Sequence, residues 1–298
     1  MTRIVVLLAA LLAAAAAVQG SQATFTASRT NASSSFASAA HFAPHVTLTA
    51  PTAGSTTGPT PTLSGTADNA AGDGTTITVK IYSGSTATGT AVQTLTPTRS
   101  TTTWTTAASA LASGTYTAQA TQTDSAPSTG TSAAVTFTVD ATKPTAISVV
   151  AANKAGGTPG KLEAGDTITF TYSEPITAAS VWSTWNGAST NVKLRFSGFG
   201  NDSFTVLDMS SAATVNLGTV ATNADYVSVN PSTFTSTMVR SADGASIVVT
   251  LGTPANVQGT ANVGRNMSWT VGAGIKDLYA NTISTPAIYH ETDSGVDF

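Results

Sequence analysis

Between Gly114 and Pro144 the chain alternates small or apolar residues with hydroxylated ones, twice over. In GTYTAQAT the positions Tyr116, Ala118 and Ala120 share one parity, and in AVTFTVDATKP the positions Val135, Phe137 and Val139 do the same. A period of two puts one set of side chains on one face of an extended strand, so each run reads as a half-buried β-strand with a Thr-rich outer face. The turn residues DSAPSTG separate the two runs, and Pro144 closes the second. This is the last hairpin of an all-β module followed by a linker, after which a fresh β pattern begins.

Composition agrees with exposed sheets. Hydrophobic residues make up 41% of the 298 residues, enough for real cores, while charged residues make up only 9%, against roughly 25% in an ordinary globular chain. Thr, Ser, Ala and Gly supply the surface instead. Thr is β-branched and suits a strand while staying soluble. A net charge of −3 offers no electrostatic footprint for DNA or RNA, so nucleic acid is not expected as a partner. The absence of cysteine removes thiol catalysis, thiolate metal sites and disulfides.

The first residues, MTRIVVLLAALLAAAAAVQGSQA, place Arg3 before an apolar run from Ile4 to Val18 and small residues at Ser21-Gln22-Ala23. This is the pattern of a secretory signal peptide, 1–23, cut near Ala23. The run is shorter than the ~20 residues that span a bilayer, so no membrane span is expected in the mature chain. A Ser/Ala-rich leader, 24–44, follows, with Phe25, Phe36 and Phe42 as isolated apolar positions. Its order of Thr-Phe, Thr-Asn and Phe-Ala-Ser-Ala behind a signal peptide resembles the N-termini of exported bacterial proteins of the camelysin and TasA kind. That resemblance implies assembly into surface fibres.

From His45 to Thr142 short runs of alternating polarity are separated by turn signals, about seven strands in about 98 residues, the size of an immunoglobulin-like sandwich. The order PTLSGTAD, ITVKIY, VQTLTPT, TWTT, ALASGTYTAQATQTD and VTFTVDATKP resembles the bacterial Ig-like repeats of surface adhesins. Those repeats commonly carry Ala-Gly-Asn after the acidic residue of the penultimate loop, where this chain has Asp124-Ser125-Ala126-Pro127-Ser128. From Lys143 to Phe298 a second all-β pattern runs through KLEAGDTITFTYSEPI, VKLRFSGF, DSFTVLDM, ATVNLGTV, SIVVTLG and NMSWTVGAG. It resembles the Ig-like or SwmB-like modules of bacterial surface proteins. In those, a strand ending in Ser-Glu-Pro opens the fold and an Asp-x-x-Gly-Asn turn precedes the last strand. Asp277-Leu278-Tyr279-Ala280-Asn281 fills that place, with Ala280 where glycine is usual. The expected architecture is therefore all-β: two tandem β-sandwiches, 45–142 and 143–298, behind a signal peptide.

Little in the chain points to bond chemistry. His41, His45 and His290 are not at metal-ligand spacing, and there is no Gly-x-Ser-x-Gly elbow and no Gly-rich phosphate loop before a helix. Glu163 and Glu174 bracket one strand and read as turn and strand-end residues rather than a glycosidase pair. The one ion to weigh is calcium, which takes several oxygen ligands on loops. Asp68, Asp73, Asp124 and Asp140 are the candidate ligands, against their reading as turn residues that bond their own backbone. Trp182 and Trp185 in SVWSTWNG are candidate sugar-stacking residues if exposed, against packing in a core.

The sequence thus predicts a secreted, non-enzymatic bacterial surface or matrix protein, extracellular or at the cell surface, whose Ig-like modules act in adhesion or as a spacer. Expected partners are other surface proteins, matrix components or cell-wall glycans. The alternatives are a fibre subunit that self-assembles through the 24–44 leader, and a carbohydrate-binding accessory protein.

Overall fold

A computed structural model describes residues 42–254, 266–284, 288–290 and 298. The signal-peptide reading, and nearly all of the leader on which the fibre alternative rests, lie outside the described residues.

The first β domain contains β1 (Thr56–Thr57), β2 (Thr62–Thr66), β3 (Asp73–Ser83), β4 (Gln93–Leu95), β5 (Thr103–Ala107), β6 (Gly114–Asp124), β7 (Thr129–Thr131) and β8 (Val135–Val139). One sheet runs β1-β8-β6-β3-β4 with β7 on β6, and β2 and β5 form the other. Bridges Val46↔Ala67 and Ala50↔Ser64 tie the entering segment to that second sheet. The period-two reading fixes the inward face: Phe137, Val139, Ala118 and Ala120 are buried together with Leu63, Ile77, Val79, Ile81 and Trp104. Tyr116 stacks on Phe137 with ring centroids 6.2 Å apart.

The second domain contains β9 (Ala146–Ala152), β10 (Thr167–Tyr172), a single-turn helix α1 (Ala178–Val181), β11 (Thr190–Gly198), β12 (Asp202–Leu207), β13 (Thr214–Ala221), β14 (Ser232–Arg240), β15 (Ser246–Thr250), β16 (Ser268–Val271) and β17 (Ile288–His290). All nine strands belong to one sheet, ordered β17-β16-β13-β12-β11-β14-β15-β10-β9. Its two end strands, β9 and β17, come to lie beside each other, so the sheet is nearly closed on itself like a barrel rather than split into two layers. The physical reason is right-handed twist, which curls a sheet of this width until its edges meet. Alternate residues of β10, β11, β14 and β15 point inside, where Phe170, Tyr172, Phe196, Phe204, Phe234 and Trp269 pack edge to face except for the tilted Phe196–Phe204 pair.

Strand direction assigns the two ends of this domain. β10 finishes, and β11 and β15 begin, at the end where the chain arrives from the first domain. The β11–β12 turn and the start of β14 lie at the far end.

Candidate metal centre at the domain junction

β8 ends at Val139, and the next residue, Asp140, donates its N–H to the Thr57 carbonyl at 2.9 Å. Its Oδ1 accepts the Thr142 N–H at 2.9 Å, the Asx turn that a short linker before Lys143-Pro144 calls for. Across the junction, Glu174 follows β10 in Ser-Glu-Pro, and Asp277 opens the turn 277–281 that lies beyond β16. Asp277 Oδ1 accepts the N–H groups of Tyr279 and Asn281, both at 2.8 Å, and its Oδ2 accepts Asn281 Nδ2 at 2.7 Å. Ala280 sits at φ 67°, the left-handed conformation that makes glycine the usual residue at such a position. Here the bonds of Asp277 hold an alanine there.

These elements bring one carboxylate oxygen each of Asp140, Glu174 and Asp277 within 4.8 Å of one another. Asp277 is buried, and Glu174 Oε1 is shut off from water with no hydrogen-bond partner. Among the described residues the ion pair present is elsewhere, Lys161 with Glu163 at 3.9 Å. Burial, and then the neighbouring Asp277 and Asp140 charges, push the Glu174 carboxyl above the ordinary glutamate value. A buried, unpartnered carboxylate oxygen beside two further carboxylates is costly unless it takes up a proton or faces a cation. Oxygen-only donors suit a hard divalent ion such as calcium. A cleft of about 520 Å³ bordered by Thr177, Ser180, Lys276 and Asp277 opens beside Asp277.

Of the four aspartates singled out by sequence, Asp140 alone belongs to this group. Asp73 and Asp124 are opposite each other where β3 meets the far end of β6, while Asp140 follows the residue paired with Gly114 at its near end. Ten residues of strand separate those ends, roughly 33 Å at 3.3 Å per residue. Asp73 and Asp124 therefore do not share an ion with Asp140, because one ion cannot reach both ends of a strand. Asp68 Oδ2 accepts the His45 N–H at 2.6 Å, Asp73 Oδ2 accepts the Ala70 N–H at 2.7 Å, and Asp124 Oδ1 accepts those of Ala126 and Ser128 at 2.9 and 2.8 Å. Asp73 and Asp124 organise their local backbone and Asp68 ties in the entering segment, while Asp124 Oδ2 is buried without a hydrogen-bond partner.

Of the two tryptophans, Trp185 falls inside and Trp182 only partly so. Trp185 is 5% exposed and donates Nε1–H to the Ala188 carbonyl at 2.7 Å, while Trp182 is half-buried against the same core. Trp185 thus takes the core place weighed against sugar stacking and has no free ring face for a sugar. Glu163 and Glu174 do not form a pair: Glu163 Oε2 accepts the Thr158 N–H at 2.7 Å. Sequence reasoning passed over Glu174 and Asp277 as ligands. Their signal was that Ser-Glu-Pro follows a strand and Asp-x-x-x-Asn makes a turn, and the fold sends both to one junction.

Residues 47–141 match the bacterial Ig-like domain family. That stretch is Ig-like, a type that occurs in bacterial surface and exported proteins. Such domains are generally non-catalytic, and no catalytic family is matched. No curated protein sequence matches the chain. Among solved structures, fibronectin(III)-like modules of CbhA from Clostridium thermocellum are 16% identical, covering 72% of this chain and 92% of theirs at a TM-score of 0.27. The C-terminal domain of the BspA polypeptide from Streptococcus agalactiae is 9% identical, covering 76% of this chain and 93% of that one at 0.26. A putative membrane-anchored protein from Corynebacterium diphtheriae is 13% identical, covering 86% of this chain and 60% of that one at 0.23. Among the described residues no helix is long and apolar enough to cross a membrane.

Proposed function

We propose that this chain is a secreted, non-enzymatic surface or matrix protein in which an Ig-like domain and the barrel-like domain behind it act as a spacer or adhesive module outside the cell. The observation that carries this reading is the fastened junction. Asn281 Nδ2 donates to the Asp140 carbonyl at 3.0 Å, across 141 residues of sequence. Gly58 lies so close to the Tyr279 carbonyl that a Cβ would overlap it. A spacer needs successive domains held in one orientation, and close backbone approach supplies that without chemistry. The test is small-angle scattering on the exported chain: one fixed domain arrangement is expected, and a broad distribution of arrangements would sink the spacer role. Mass spectrometry of the extracellular fraction should find a terminus near Thr24; an intact Met1 on a membrane-bound chain would defeat export.

A second reading concerns the ion. The orphaned Glu174 Oε1 favours a divalent cation held by Asp140, Glu174 and Asp277, with calcium the fitting hard ion. A ligand bound only by the folded state stabilises it by mass action, about 2.7 kcal/mol when free ligand is a hundred times its Kd. Millimolar calcium should raise the melting temperature and chelator should lower it, and Glu174→Gln should erase the difference. An equal response in the variant would place the ion elsewhere.

A further inference from the structure

Asn186-Gly187 lies between α1 and β11 and is the one place in the chain where glycine follows asparagine. Asparagine is a labile residue, because the backbone nitrogen that follows it can attack its side-chain amide. A side chain on the following residue crowds that nitrogen, and glycine has none. A fold can shield such a pair or present it, and this one presents it. Asn186 is exposed, and its Oδ1 accepts the Ala188 N–H at 3.0 Å. This Asx turn curls the side-chain amide back over the peptide bond that follows it. Both flanks are pinned: buried Trp185 donates Nε1–H to the Ala188 carbonyl at 2.7 Å, and the Gly187 carbonyl accepts the Arg240 N–H at 3.0 Å. Among the described residues neither the Gly187 N–H nor Asn186 Nδ2 makes a hydrogen bond, so the attacking and departing nitrogens are both unengaged. Asn216, Asn223 and Asn281 differ on both counts, since their Nδ2 groups donate to carbonyls and Leu, Ala and Thr follow them.

We propose that Asn186 is a self-modification site, at which the folded chain converts its own asparagine to aspartate and isoaspartate. Hydroxide takes the proton from the Gly187 nitrogen, which bonds to Asn186 Cγ. The Cγ–Nδ2 bond breaks, and Nδ2 leaves as ammonia with a proton from water, which regenerates the hydroxide and leaves a five-membered succinimide. Water then opens the ring. Cleavage between Cγ and the Gly187 nitrogen gives aspartate; cleavage between that nitrogen and the backbone carbonyl gives isoaspartate. One water enters and one ammonia departs, with nothing oxidised or reduced. Holding the reacting groups together is what the pinned turn contributes. The product places a carboxylate next to the glycine on which Arg240 packs, since a Cβ on Gly187 would lie 3.0 Å from Arg240 Nε. In the isoaspartyl form the main chain is one carbon longer between Trp185 in the core and the Gly187–Arg240 bond. Neither the spacer reading nor the junction ion enters this argument, so its failure leaves both standing.

The experiment is prolonged incubation of the purified exported chain in mildly alkaline and mildly acidic buffer, followed by peptide mass mapping and enzymatic methylation of isoaspartyl groups. The same chain unfolded in urea, and the folded Asn186→Gln variant, are incubated alongside. The peptide carrying Asn186 should lose its amide before any other described asparagine does. Loss should be faster in the alkaline buffer, and both acid forms should accumulate. The folded chain should react at least as fast as the unfolded one, because the turn already holds the groups together. Asn186→Gln should keep its amide, since its longer side chain would have to close a larger ring. The proposal is overturned if the folded chain keeps the Asn186 amide while the unfolded chain loses it, if another described asparagine reacts first, or if the rate ignores pH.

Discussion

Asn281 is shared between the two domains: one Nδ2 group donates to the Asp140 carbonyl at 3.0 Å and to Asp277 Oδ2 at 2.7 Å. Its backbone N–H adds the bond to Asp277 Oδ1, so the residue that closes the Asp277 loop also grips the end of the first domain. Asn281→Ala should cost about 1–3 kcal/mol, because Asp277 is left buried with an acceptor unfilled. Urea denaturation checks the loss. Unchanged stability would mean that the side chain is dispensable at the junction.

Gly58→Ala tests the close approach directly. Neither Gly58 nor the Tyr279 carbonyl ends a flexible side chain, so the backbones must separate. A destabilisation of about 1–3 kcal/mol is expected, as for other overpacked contacts. Limited proteolysis should also cut faster within residues 140–145. Wild-type protease resistance would show that the junction absorbs the methyl group.

The carboxyl of Glu174 sets a pH dependence whose sign is opposite to that of a salt-bridged acid. Its pKa is raised from the ordinary 4.5 by burial first and then by Asp277 and Asp140. Its stabilising contribution is therefore fully present below the unfolded glutamate range and is lost as pH rises through the folded pKa. In chelator, the melting temperature of the wild type relative to Glu174→Gln should fall as pH goes from 4 to 7. A difference independent of pH would show that Glu174 titrates normally.

Trp185→Ala should act as a core mutation. The loss expected is about 3–5 kcal/mol, read from chemical denaturation, since the ring is 5% exposed. A variant of wild-type stability would contradict its place among Val181, Val192 and Met238 in the core.

The strands were legible because their information is local. Val135, Phe137 and Val139 announce an inward face by parity alone, and Phe170 and Tyr172 do the same in the second domain. Closure of the second sheet was not legible, because it depends on twist summed over nine strands, and no single residue of β9 or β17 marks the seam. Among the site residues, Asp140 was found as a junction aspartate. Glu174 and Asp277, 103 residues apart in sequence, meet only after the sheet has curled. Trp185 and Trp182 illustrate the converse: two aromatics three apart beside a glycine suit a core or a sugar-stacking face equally until α1 packs them against the barrel.

The curling of the second domain also settles how it would carry a mechanical load. β9 leaves the junction and runs toward the far end, antiparallel to β10, and β17, antiparallel to β16, runs the same way beside it. A pull along the chain is thus directed lengthwise down the outermost strands. The β9–β10 ladder from Ala146 to Ala152 would have to slide as a block, with its backbone hydrogen bonds sheared together, whereas a hairpin pulled from one end unzips them one after another. Geometry of that kind makes force resistance a property of strand direction, independent of how much apolar area the core buries.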